Sequence, residues 1–154
     1  MASIRAMTIG DAEACDSIVA ALPYFFGDSV GVQNAAQDVR KNVGWVSEDK
    51  GRVTGFLSLA WPTPETAEIA WMAVHPDHRR EGLGTTLVEE AVGYARGKGA
   101  RMLILFTSAQ SDLPHVSDGY EGTRRFYSRL GFVRLWVGGQ VGWNEDHLMM
   151  ARAL

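Results

Sequence analysis

Apolar positions recur along this chain with two periods, and the change from one to the other marks the elements. Residues 4–7 read as a short strand, and Thr8 or Asp11 can cap a helix over 12–22. Pro23 stops that helix because it cannot supply the next intrahelical donor. A second helix is predicted over 30–41, although Gly31 and Asn34 weaken it. Strands follow at 44–48 and 52–60 around the turn Asp49-Lys50-Gly51, then at 67–74 after Trp61-Pro62-Thr63-Pro64. Together they read as an antiparallel meander. Over 82–97, Leu83, Leu87, Ala91 and Ala95 recur at helical spacing, and Val88 and Val92 widen the stripe. Residues 102–106 form a continuous apolar run suited to a buried strand. A polar loop (108–119), a short helix (123–130) ending at Gly131, a strand (132–137), a glycine-rich excursion (138–146) and a last strand (147–153) complete the chain. Strands and helices mix without regular alternation, so the fold class is α+β, with a mostly antiparallel sheet of six or seven strands.

Composition narrows the use of such a fold. The chain has 154 residues, a net charge of −3 and 46% hydrophobic residues, which suits one domain over 1–154. One cysteine, Cys15, rules out an internal disulfide. The longest uninterrupted apolar run, residues 69–74, is far short of the roughly 20 residues that span a bilayer, so no membrane role is expected. The first residues lack a signal pattern, and a cytoplasmic protein is expected. A sequence pI near 5.8 argues against nucleic-acid binding driven by phosphate neutralisation.

The sharpest local feature is Val74-His75-Pro76-Asp77-His78-Arg79-Arg80-Glu81-Gly82-Leu83-Gly84-Thr85. A strand ends, a turn carries two arginines, and a helix begins at two glycines. A helix's first N–H groups have no intrahelical partner and its dipole favours an anion there. A pyrophosphate is the natural guest, although a tight turn with close packing would use the same glycines. The dinucleotide fingerprint fails because Leu87 stands where a third glycine is needed. The P-loop fails because Thr85 and Thr86 follow Gly84 with no lysine, which also disfavours a small kinase.

Arg79-Arg80-Glu81-Gly82-Leu83-Gly84 resembles the R/Q-x-x-G-x-G/A signature of the GNAT N-acetyltransferase superfamily. Phe126-Tyr127-Ser128-Arg129-Leu130-Gly131-Phe132 resembles its second signature, and the order of elements is similar over nearly the whole chain. The resemblance implies an acetyl-CoA site in a V-shaped splay between the strand ending at Val74 and the one over 102–106. Met72, Ala73 and Val74 would lie along the pantetheine arm, and Arg79, Arg80, Glu81, Gly82, Leu83, Gly84 and Thr85 would hold the pyrophosphate. Where many members carry Asn seven residues before the signature tyrosine, this chain has Tyr120, and no cofactor role is carried to it.

Acyl transfer from a thioester to an amine needs a deprotonated amine and a protonated leaving thiolate. Glu68 is the candidate base. Strand alternation puts Glu68, Ala70, Met72 and Val74 on one face unless a bulge intervenes. Glu68-Ile69-Ala70-Trp71-Met72-Ala73-Val74 also resembles the Glu-Ile-x-x-x-Ala-Val arrangement of the protein-lysine acetyltransferase branch. A solvated strand-end carboxylate is the plainer use of Glu68. Tyr127 is the candidate acid, against the plainer reading of a packed helix tyrosine. His75 and His78 lack the partners of a metal site, so no metal is expected, and Cys15 reads as core rather than nucleophile.

The resemblance further implies that a small-molecule or peptide amine enters between segments 23–29 and 138–146. These hold Tyr24, Phe25 and Trp143 as candidate acceptor contacts, with Phe26, Asp28, Glu145 and Asp146. The same residues would equally serve a homodimer contact or a minor core. Two functions therefore stand: direct acetyl transfer from acetyl-CoA to a primary amine, and a non-catalytic acyl-CoA-binding regulatory domain.

Overall fold

The computed structural model describes residues 2–22, 29–109, 120–138 and 147–154. Their elements are β1 (Ser3–Ala6), α1 (Ala12–Ala20), α2 (Ser29–Lys41), β2 (Gly44–Asp49), β3 (Arg52–Thr63), β4 (Thr66–Val74), α3 (Leu83–Gly97), β5 (Met102–Ser108), α4 (Glu121–Arg129), β6 (Val133–Gly138) and β7 (His147–Ala153). The strands form one seven-stranded sheet in the order β1-β2-β3-β4-β5-β7-β6, antiparallel except for β4–β5.

Successive strand side chains point to opposite faces, and the sheet uses both. Trp45, Leu57, Leu59, Ala67, Ile69, Leu103, Leu105 and Leu148 face α3, whose Leu87, Val88, Ala91, Val92 and Ala95 are the predicted stripe. Tyr127 and Phe132 join this layer. Val46, Phe56 and Ala73 face the other way, onto Ala12, Cys15, Ile18 and Val19 of α1 and Ala35 and Val39 of α2. Burying each large aliphatic contributes roughly 1.5–3 kcal/mol, so these two layers hold the sheet.

Several boundaries differ from the sequence expectation. The 12–22 helix stops at Ala20 and is preceded by a 3-10 turn over Ile9–Asp11. The Asp11 carboxylate accepts the Thr8 N–H at 2.8 Å and receives two bonds from Arg5, which also reaches Glu48. β3 runs on through Pro62 to Thr63, where a register irregularity lets a proline sit in a strand. α4 begins at Glu121, two residues before the predicted start. Among the described residues no helix is long and apolar enough to cross a membrane.

The difference that matters for function lies in β4. Ser58 pairs with Trp71 but Leu59 pairs with Ile69, so one extra residue, Ala70, is inserted. This bulge inverts the alternation. Ala67 and Ile69 face α3 before it, and Met72 and Val74 pack into that same layer after it. Glu68 therefore does not share a face with Met72 and Val74. It lies on the face of Trp71 and Ala73, which pack with α1 and α2.

Candidate active site

β4 and β5 are parallel neighbours, yet their register holds for only three pairs: Thr66 with Met102, Ala67 with Leu103 and Glu68 with Ile104. β4 continues six residues further to Val74, still paired on its other side with β3, and β5 continues to Ser108, still paired with β7. The two half-sheets thus diverge from Ile69 onward. The β4 edge facing the cleft offers backbone donors and acceptors that an extended ligand can pair with, as in strand addition.

The turn after β4 sits at the open end of this cleft. His75 donates its N–H to Thr54 O at 2.8 Å, and its Nδ1 accepts the Asp77 N–H at 3.1 Å. Arg80 has φ 65° and Gly82 φ 77°, both left-handed. Left-handed residues alternating with ordinary ones turn successive N–H groups inward, which makes an anion-binding concavity. Gly82 is the N-cap of α3 and carries no side chain to cap it, so the first-turn donors of Leu83, Gly84 and Thr85 stay available to an anion. A Cβ on Gly82 would meet nothing within 4 Å, whereas one on Gly84 would come within 3.1 Å of Phe126 Cζ. Gly82 is thus required by conformation, and Gly84 by the close approach of α3 to α4.

Tyr127 of α4 packs in the α3-side layer and reaches β4 at Met72. It is 6% exposed, and its ring meets Phe126 and Phe132 edge-on at 5.0 and 5.5 Å. Its hydroxyl lies 3.9 Å from Met72 Sδ, against the unpaired stretch of β4. Burial raises the phenol's pKa, so it stays a proton donor across the working range.

Glu68 stands where the strands part, half-buried, on the opposite face. Its pKa is raised, first by burial and then by the charge of Asp38 on α2. Asp38 accepts the indole N–H of Trp71 at 2.5 Å. On this face, Ser58 Oγ is fully buried and has no hydrogen-bond partner among the described residues. A carboxylate with a raised pKa beside a cleft is what a general base needs.

The acetyltransferase (GNAT) family model matches residues 15–132, more than half of the chain. The chain belongs to the acetyltransferase (GNAT) family. A GNAT-family chain from Desulfovibrio desulfuricans superposes with a TM-score of 0.83 at 22% identity, covering 99% of each chain. An aminoglycoside 6'-N-acetyltransferase complexed with coenzyme A superposes at 0.78 with 14% identity, covering 98% of this chain and 96% of its own. An uncharacterized N-acetyltransferase of Methanocaldococcus jannaschii is 33% identical over 94 residues, 57% of this chain. This chain covers only 38% of that relative's length.

For this GNAT-family chain, the structure brings together the β4 edge, the glycine turn and Tyr127, and sets Glu68 across the strand from them. Tyr24, Phe25 and Trp143 lie outside the described residues. His75 Nδ1 accepts the Asp77 N–H, while His78 Nδ1 lies 3.5 Å from Glu81 and makes no hydrogen bond among the described residues. Cys15 is fully buried, and its thiol is pushed up to about 12 by burial, which removes it as a nucleophile near neutral pH. Sequence reasoning missed Asp38, Ser58 and the indole of Trp71. Nothing in the sequence links position 38 to position 71, because only the packing of α2 on β4 joins them.

Proposed function

We propose that this chain is an acetyl-CoA-dependent N-acetyltransferase that moves the acetyl group directly to a primary amine. The observation that carries this reading is the β4–β5 register, which ends after three pairs and leaves a strand edge beside Tyr127 and below a helix N-terminus. Family membership and the coenzyme A held by the similar aminoglycoside enzyme support the choice of donor. Met72, Ala73 and Val74 pair with the pantetheine arm through their backbone. The amides from Arg79 through Thr85, with the Arg79 and Arg80 side chains beside them, hold the pyrophosphate.

In the reaction, the acceptor ammonium gives one proton to Glu68, and the neutral amine attacks the thioester carbonyl. The tetrahedral intermediate breaks its C–S bond, the nitrogen loses its second proton, and the departing sulfur is protonated from the Tyr127 hydroxyl. The nitrogen's second proton restores the phenol through solvent, and the proton on Glu68 leaves to water. The balance is acetyl-CoA plus ammonium giving amide, CoA thiol and one proton. Burial that raises the phenol raises a thiolate's basicity as well, so the transfer is not penalised by the apolar cleft. No acyl-enzyme is needed, and Cys15 has no access to form one.

A panel of small amines, amino-acid derivatives and peptides with acetyl-CoA, followed by free-thiol release, tests the reading. Release with at least one amine is expected. Tight acetyl-CoA binding with no release across the panel would favour the regulatory acyl-CoA-binding alternative.

A further inference from the structure

A cavity of about 480 Å³, which the acetyl-transfer site does not use, lies between α1 and the end of the β1–β2–β3 meander. Pockets for small molecules span roughly 300–1,000 Å³, so its size suits one. A second bulge shapes its floor. Ser47 pairs with Gly55 but Glu48 pairs with Val53, so Thr54 is the extra residue on β3. Val53 therefore shares the α1 face with Phe56 and packs in that layer. Arg5 forms a wall and is fully engaged, with two bonds to Asp11, two to Glu48 Oε2 and one to Ala6 O. Three other lining groups are not engaged. Glu48 uses only Oε2, and among the described residues its Oε1 accepts nothing. Arg52 makes no hydrogen bond or ion pair among the described residues, although Glu48 lies one register step away on the neighbouring strand. His75 Nδ1 accepts the Asp77 N–H, so a neutral ring keeps its proton on Nε2, a donor with no partner among the described residues.

We propose that this cavity is a second ligand site, which takes a small zwitterion with a carboxylate and an ammonium group: a free α-amino acid with an apolar side chain. The carboxylate pairs with Arg52 and the His75 Nε2–H, and the ammonium with Glu48 Oε1. The apolar side chain lies against Ala14, Ile18 and Val53, which complete the lining. The lining charges cancel, Arg5 and Arg52 against Asp11 and Glu48, so a ligand of zero net charge leaves none uncompensated. A plain carboxylate would leave the Glu48 oxygen unmatched, and a plain ammonium would leave Arg52 so. Arg5 and Asp11 fix the Glu48 carboxylate before any ligand arrives, which lowers the ordering cost of binding. The lining comes from β1, β2, β3 and α1, and adjoins the acetyl-transfer machinery only at His75.

Calorimetric titration with three probes of one shape tests this: L-leucine, 4-methylpentanoate, which lacks the ammonium, and 3-methylbutylammonium, which lacks the carboxylate. Leucine should bind, and each half-charged probe should bind about tenfold more weakly, because one charge-assisted contact is missing. Arg52 is exposed, so Arg52→Gln should fold normally. It should weaken leucine about tenfold and leave 3-methylbutylammonium unchanged. Ala14→Phe fills the cavity from the half-buried face of α1 and should abolish leucine binding. Should that variant not fold, Arg52→Gln carries the test alone. No leucine binding at millimolar concentration, or equal affinity for 4-methylpentanoate, overturns the proposal. So does leucine binding that ignores Arg52→Gln and Ala14→Phe, the result expected if leucine entered the β4–β5 cleft instead. These titrations use no acetyl-CoA, so a chain that released no thiol would sink the proposed function and leave this site to be decided on its own.

Discussion

On the α3 face of β4, Tyr127 lies in an apolar layer with Met72, Phe126 and Phe132. On the α2 face, Glu68 sits half-buried beside Asp38 and Trp71. Both groups have raised pKa values led by burial, but the consequences are opposite. Raising a phenol keeps it protonated and therefore a donor, whereas raising a carboxyl makes its anion a better acceptor. One strand thus separates a donor layer from an acceptor layer, and the bulge at Ala70 lets residues only four apart face opposite ways. Strict alternation would have put Glu68 and Met72 on one side, with the proposed base and the proposed acid competing for the same apolar layer.

The largest test of this division is Glu68→Gln. A positioned base is worth about 10²–10⁴ in rate, so turnover should fall by that range and the acidic limb of the pH–rate profile should disappear. The same change should stabilise the fold at neutral pH. The folded carboxyl has the higher pKa, so the native state binds more protons and wild-type stability falls as pH rises through that value. Urea midpoints should show the gain of Glu68→Gln near neutrality and its loss on acidification. A variant less active yet no more stable would mean that the carboxylate is solvated and the division at β4 is wrong.

Tyr127→Phe comes next, with turnover falling about a hundredfold, the low end for a positioned proton donor. The ring remains, so packing and the dissociation constant for acetyl-CoA should change little. Leaving groups that need no proton should shrink the loss. Weaker acetyl-CoA binding at unchanged turnover would instead make the hydroxyl an anchor for the sulfur end of the pantetheine.

Much of the donor layer was legible from residue order, and much less of the acceptor layer. The turn from Arg79 to Gly84, the α3 stripe and the Tyr127 segment are contiguous, so local spacing exposes them. The seven strands could be placed for the same reason. The bulge could not, because Ala70 differs from its neighbours in no local property and the extra residue exists only relative to Ser58 and Leu59 on the next strand. Gly84 was legible as a site of close approach but not as to what approaches, which is the Phe126 ring. Asp38 escaped entirely, since its meaning comes from Trp71, 33 positions away.

A smaller effect should follow at Gly82. A side chain there meets nothing, but the left-handed φ of 77° costs a non-glycine residue about 1–2 kcal/mol. Gly82→Ala should lose roughly that much in unfolding free energy and weaken acetyl-CoA binding. The pH midpoint of Glu68 should stay unchanged, because the turn belongs to the donor layer. A moved midpoint would show that the two sides of β4 are not independent.

The smallest effect on chemistry, and the control for the rest, is expected at Asp11. Its carboxylate holds the Thr8 N–H and both arms of the Arg5 guanidinium, which tie the start of α1 to β1 and, through Glu48, to β2. The Arg5 bonds hold the Asp11 pKa at about 2, below the roughly 3.9 of an unfolded aspartate. The unfolded chain therefore binds the proton first. The stabilisation is complete above about pH 5 and is lost as pH falls through 4 toward 2. Asp11→Asn should lower stability at pH 7 by about 1 kcal/mol, discounted because the Arg5 side chain is 39% exposed. That difference should close on acidification, opposite in sign to the pH dependence of Glu68→Gln. Turnover should stay within about twofold, since the ion pair lies on the far edge of the sheet from the β4–β5 cleft. Acid titrations of urea midpoints for both variants, run side by side, would show whether the two carboxylates on the α1–α2 side are separable, one serving the fold and one the reaction.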